Sequence, residues 1–172
     1  MKYLFTIALG LLFLSANAQE INKKLEDQIK HKEIMLNECS REGLVSFPEF
    51  KASYDANYEN YKVDSASVAQ LTKLLKDKKI KVVLGTWCGD SKFQVPNFLK
   101  VADAAKVKED HVAFIAVDGA KKAENGLIDN LNITRVPTFI IADKKGNEIG
   151  RITEFPKKTL ELDLLEILAA KK

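Results

Sequence analysis

Cysteine and histidine are scarce in this chain. Its 172 residues hold two of each, Cys39, Cys88, His31 and His111. Two cysteines cannot staple a disulfide-dense small domain. The four residues show none of the paired spacings of a zinc site, so neither a metal nor any other cofactor is expected. Proline stops at four residues and glycine at eight, and no Gly/Ser/Pro-rich stretch marks a linker between domains. An excess of one charge is missing too: 27 basic residues face 24 acidic ones, for a net +3. That balance argues against a nucleic-acid-binding or membrane-surface protein. Apolar side chains are abundant at 46%, which speaks against disorder and, at this length, for one domain, with or without an elaborated end.

Residues 1–18, MKYLFTIALGLLFLSANA, stand apart. Lys2 precedes an apolar run from Tyr3 to Leu14, and Ala16-Asn17-Ala18 follows. Charged, apolar and small residues in that order form a secretory leader, with cleavage expected after Ala18. The run is short of the roughly 20 residues a membrane span needs. No Cys follows the cleavage site, so lipid attachment there is not supported. The expected destination is the periplasm of a bacterium or the outside, with no membrane attachment after cleavage. An exposed thiol in such a place meets an oxidising compartment.

Residues 19–64 read as a helical extension docked on a core formed by 65–172. Ile21, Leu25, Ile29, Met35, Leu36 and Cys39 recur at near-helical spacing and predict an amphipathic helix ending near Gly43. A second helix is expected from Ser46-Phe47-Pro48-Glu49, Ser46 and Glu49 forming a capping box. Its aromatic stripe, Phe47, Phe50, Tyr54, Tyr58 and Tyr61, suits packing better than ligand binding. A third helix is expected from Ser65 to Lys78. The pattern then alternates: strand Ile80–Leu84, helix from Gly89 to about Val107 with a kink at Pro96, strand His111–Val117, a weak helix around Ala123–Leu131, strands Thr138–Ala142 and Glu148–Thr153, and a helix from Lys157 to Ala170 burying Leu162, Leu165 and Leu168 or close neighbours. This order predicts an α/β sandwich, its first two strands parallel and its last two antiparallel.

Cys88 lies in Gly85-Thr86-Trp87-Cys88-Gly89-Asp90-Ser91, between a buried strand and a helix start. Unsatisfied amides at a helix start carry partial positive charge and stabilise an anion, and the thiolate is the reactive form of cysteine. Together with Val136-Pro137-Thr138-Phe139 and the order of strands and helices around both segments, Trp87-Cys88-Gly89 resembles the thioredoxin family over roughly Ser65 to Ala170. The resemblance implies a thioredoxin-like mixed sheet flanked by helices, Cys88 as attacking cysteine, and a cis Val136–Pro137 bond facing it. It also implies that Trp87, Gly89, Asp90, Val136 and Thr138 contact substrate.

Three departures limit that transfer. Ser91 stands where the family has its second cysteine; a hydroxyl can hydrogen-bond the thiolate but cannot expel a substrate from a mixed disulfide. Asp90 replaces the usual proline, and its charge opposes a thiolate. Val82 stands where many relatives keep a buried acid. The leading expectation is an exported monothiol oxidoreductase that acts on client disulfides or oxidised cysteines through Cys88, with an external thiol or a partner protein releasing the product. Two alternatives stay open: a dithiol enzyme that uses Cys39 as a distal resolving thiol, which requires Cα atoms within about 7 Å, and a non-catalytic module that binds clients. Cys88-Gly89-Asp90-Ser91 also fits the bare Cys-Gly-x-Ser pattern of monothiol glutaredoxins that carry iron–sulfur clusters, a weak signal from one cysteine.

Overall fold

A computed structural model describes residues 20–170; the leader lies outside the described residues. The chain opens with a hairpin, Lys24–Asp27 (β1) against Lys32–Met35 (β2), and Asn37–Cys39 (β3) then enters the main sheet. Arg41–Ser46 (α1), Pro48–Asn60 (α2) and Ser65–Leu74 (α3) follow, then Lys79–Leu84 (β4), Gly89–Ala104 (α4), Val112–Ala116 (β5), Thr138–Ala142 (β6), Glu148–Thr153 (β7) and Leu160–Ala169 (α5). The main sheet runs β3-β5-β4-β6-β7. β4 and β5, joined through a helix, are parallel, while the β6–β7 hairpin is antiparallel, both as expected. A five-stranded mixed sheet flanked by helices is the predicted fold class.

Alternation along the strands separates two faces. Val82 and Leu84 of β4, Phe114 and Ala116 of β5, and Phe139 and Ile141 of β6 enter one large cluster, to which all five helices contribute. The residues between them on β4 and β5, Val83 and Ile115, point the other way. They join Val117, Ile128 and Val136 in a small cluster covered by the irregular segment 118–134. The aromatic stripe of α2 does pack: Phe47 and Phe50 are fully buried and Tyr54, Tyr58 and Tyr61 lean on the large cluster. Pro96 inside α4 has no N–H for the Lys92 carbonyl, and Asn57 of α2 reaches that carbonyl through Nδ2 at 3.4 Å.

Four local expectations need correction. The amphipathic helix over 21–43 does not form, so the extension is not purely helical. Asn22, His31 and Asn37 adopt left-handed backbone (φ 64°, 51° and 68°), and the Asp27 carboxylate accepts the N–H groups of Ile29 and Lys30. Such local bonding competes with the helix and turns the chain. The capping box is absent: α2 starts at Pro48, whose missing N–H suits a first helical position, while Ser46 Oγ donates to the Gly43 carbonyl and Glu49 pairs with Lys32 and Lys92. The weak helix at 123–131 is a series of turns ending in a 3-10 turn at Asp129–Leu131, with Asn125, Gly126 and Asn132 at positive φ. In α5, Leu168 is buried and Leu165 half-buried as expected, with the neighbouring Leu160 and Leu164 buried too, but Leu162 is exposed.

Candidate functional site

β4 ends at Leu84, and four residues carry the chain to α4. A Cβ on Gly85 would come within 2.6 Å of the Trp87 ring, so the indole lies on the bare backbone of a residue that must be glycine. Gly85 accepts the Cys88 N–H at 2.9 Å, which closes a tight turn, and donates its own N–H to Ser91 Oγ at 3.2 Å. Thr86 is buried and accepts the Met35 N–H at 3.1 Å, tying the loop to the hairpin. Cys88 is the N-cap of α4, and its carbonyl takes the Lys92 N–H at 3.0 Å.

The Cys88 sulfur is half-buried and donates to the Val136 carbonyl at 3.3 Å. The Val136–Pro137 bond is cis. Thr138, buried, donates its hydroxyl to the Arg135 carbonyl at 2.7 Å, and the Pro137 carbonyl accepts the Glu154 N–H at 2.7 Å. The 136–138 segment is thus fixed from both sides. Gly89 is exposed, with no heavy atom within 4 Å of the point a Cβ would occupy, and Asp90 beside it is half-buried. Ser91 is fully buried, its hydroxyl oxygen engaged by Gly85. Trp87, Cys88 and Val136 all pack on the small cluster.

Cys39 is not brought to the site. It is in register with Phe114 of β5, which is itself in register with Val82 of β4. Cys39 therefore lies two strand spacings, roughly 9–10 Å, from β4, on the face of the large cluster. Cys88 packs instead on the small cluster of the opposite face, and both cysteines are free. Burial pushes the Cys39 thiol up to about 12, although a hydrogen bond with the Ala116 backbone works against it. The resolving role left open for Cys39 gains no support from this placement. Val82 is fully buried in the large cluster, and no acid occupies its place.

The sequence reading missed the hairpin's part in the site. Lys30 Nζ sits 4.0 Å from the centroid of the Trp87 ring, whose Nε1 donates to the Val117 carbonyl at 3.0 Å. Asp27 Oδ2 accepts the Gly119 N–H at 2.8 Å, just past that carbonyl. Burial raises the Asp27 carboxyl, but N–H bonds from Gly119, Lys30 and Ile29 outweigh it and hold the group below the usual carboxylate range. Further along, Glu124 accepts from Lys23 Nζ and from Asn37 Nδ2. Asp27 and Gly119 are 92 residues apart, and no sequence motif links them. The local signal was only an Asp followed by a turn.

These residues place a half-buried sulfur at a helix start, with the exposed Gly89 beside it and a neighbouring aromatic wall. Among the described residues no group of three His, Cys, Asp or Glu could hold a metal, and no helix is long and apolar enough to cross a membrane. The model of a thioredoxin family matches residues 46–166. The chain belongs to the thioredoxin family. A protein of unknown function from Pseudomonas aeruginosa shares the fold at TM-score 0.56 and 16% identity, over 76% of this chain and 89% of that one. An HIV epitope-scaffold does so at TM-score 0.53 and 16% identity, over 76% and 82%. Mitochondrial thioredoxin 3 of Saccharomyces cerevisiae, in its oxidised form, matches at 21% identity over 69% and 98%, with a TM-score of 0.38. No curated protein matches by sequence. Membership in the family supports a redox function of the general thioredoxin kind.

Proposed function

We propose that this thioredoxin-family protein is an exported monothiol oxidoreductase whose working atom is the Cys88 sulfur. The observation that carries it is the placement of that half-exposed sulfur at the start of α4, 3.3 Å from the Val136 carbonyl. In the forward step the Cys88 thiolate attacks one sulfur of a client disulfide. A Cys88–client S–S bond forms, the client's own S–S bond breaks, and the electron pair leaves with the second client sulfur as a thiolate. An external thiol, from a small molecule or a partner protein, then attacks the mixed disulfide and releases the client. Ser91 cannot take that role: it has no sulfur, and its hydroxyl is buried against Gly85. Ser91 and Pro137 shape the site, while Trp87, Gly89, Asp90, Val136 and Thr138 border the client. The leader supports action in an oxidising compartment, the periplasm or outside.

The test is the intact mass of the mature protein after equilibration in a glutathione buffer and alkylation without reduction. One glutathione on Cys88, with Cys39 unmodified, is expected. Loss of two hydrogens with no adduct would mean a Cys39–Cys88 bridge and a dithiol mechanism. A native protein with neither cysteine modified would leave a client-binding module without redox chemistry, an alternative supported by the missing second thiol and the missing buried acid.

A further inference from the structure

The hairpin contacts the site loop and its surroundings at three points: Met35 N–H on Thr86, Lys30 on the Trp87 ring, and Asp27 on Gly119. The Asp27 and Lys30 contacts come from the hairpin turn, and Ile29 between them is exposed. A Cβ on Gly119 would meet Asp27, Ile29 and Lys30 all within about 3.1 Å, so the turn lies directly on the loop that follows β5. Trp87 thus touches both the bare Gly85 backbone and a lysine ammonium.

That ammonium is unusual in its company. Among the described residues it makes no ion pair with a carboxylate; Asp27, three residues back and engaged by three backbone N–H groups, feels its charge without contact. A cation over an indole face is held by the ring quadrupole and keeps its charge on offer. The other charges on this side are mixed. Lys121 and Lys122 line a cleft of about 440 Å³ whose Ala123, Ile128 and Ile133 walls belong to the cluster under Trp87 and Cys88. Against them stand Asp129 in the same cleft, Asp90 beside Cys88, and Asp118, whose Oδ1 is occupied by the N–H groups of Ala120 and Lys122. Arg135 is paired with Glu154.

We infer that Lys30 is the specificity-determining residue of the Cys88 site, and that it selects client segments with a carboxylate side chain next to the reactive sulfur. The inference rests on the monothiol reading above. A client segment that offers its sulfur to Cys88 lies alongside Trp87, where an acidic neighbour meets the Lys30 ammonium and a basic neighbour is repelled.

The test uses two short peptides, each with one cysteine activated as the same 2-thiopyridyl mixed disulfide, flanked by Asp in one and Lys in the other. Cys88 attacks the peptide sulfur, a Cys88–peptide S–S bond forms, and the pyridine-thiolate leaves with the electron pair, so its absorbance reports both rates on one leaving group. Relative to 2-mercaptoethanol, the wild-type protein should favour the Asp peptide by about threefold to tenfold, the scale of one nearby charge in partly screened solvent. The preference should largely vanish in Lys30→Met, persist in Lys30→Arg and in the distant control Lys144→Met, and shrink at high salt. Far-ultraviolet circular dichroism and urea unfolding check that each variant is folded. An equal preference in wild type and Lys30→Met overturns this inference alone; no reaction with either peptide overturns both it and the monothiol reading.

Discussion

On one face of the sheet five helices close over 24 buried residues; on the other, five buried residues lie under turns, among the residues described. The two cysteines divide between them. Cys39 is buried in the large cluster, and burial pushes its thiol up to about 12. Cys88 packs at the margin of the small cluster, half-exposed, with a backbone carbonyl for a partner. The same side chain is a buried hydrophobe in one place and, in the proposed mechanism, the attacking thiol in the other. The heavily built face carries stability, and the thin face, held together by polar latches from the hairpin, leaves room for chemistry.

The largest effect expected from breaking this division is loss of all capture in Cys88→Ser. A native protein with one fast-reacting thiol should become one with none, and the variant should stay folded, because serine is a favoured N-cap residue and keeps a hydroxyl donor at this position. Cys39 should be modified only once the protein is unfolded. Mass spectrometry after timed alkylation, with and without denaturant, reads both. A fast-reacting Cys39 in the folded protein would erase the distinction between the two faces.

The converse variant acts on the thick face. Phe98 is 1% exposed, and its ring lies 4.8 Å from that of Phe139, centroid to centroid. Phe98→Ala should cost about 3–5 kcal/mol, seen in urea unfolding, while the folded fraction still captures disulfides through Cys88. A smaller effect is expected where the faces are stitched together. Asp27→Ala leaves the Gly119 N–H without its acceptor, a loss of about 1–3 kcal/mol, and should also shift Trp87 emission because Lys30 loses its seat. The pH dependence has a definite sign. The folded carboxyl lies below its unfolded value, so its contribution is present above the unfolded value near 3.8 and fades as pH falls through the folded one. The stability gap between wild type and Asp27→Asn should therefore be constant near neutrality and close only in strong acid.

The same division explains what could be read from the chain. Strands β4, β6 and β7 and helix α4 were legible because an apolar run or period, together with its flanking turns, specifies them locally. Cys88 and Val136–Pro137 were legible as a family resemblance. The hairpin was not, because Ile21, Leu25, Ile29 and Met35 imitate a helical period while the deciding features are the left-handed Asn22, His31 and Asn37. Lys30 and Asp27 were invisible as site residues for a different reason. Their partners Trp87 and Gly119 are distant in sequence, and only the folded sheet brings them together.

The smallest expected effect sharpens the comparison at one atom. Gly89 begins α4 with its α-carbon facing open space, and an added methyl group would touch nothing within 4 Å. Its backbone is not at positive φ, so glycine is not required there for conformation. Gly89→Ala should accordingly leave the fold intact and raise stability by at most about 0.5–1 kcal/mol through the unfolded chain. On the thick face a glycine with that much room would be a packing defect; beside Cys88 the space belongs to whatever approaches the sulfur. Capture of a small disulfide should be unchanged in Gly89→Ala, and capture of a disulfide within a folded protein should slow several-fold, since only a broad client presses on the start of the helix. Equal slowing of both would mean that the methyl disturbs Cys88 itself, and no slowing of either would place the client's path on the Trp87 side alone.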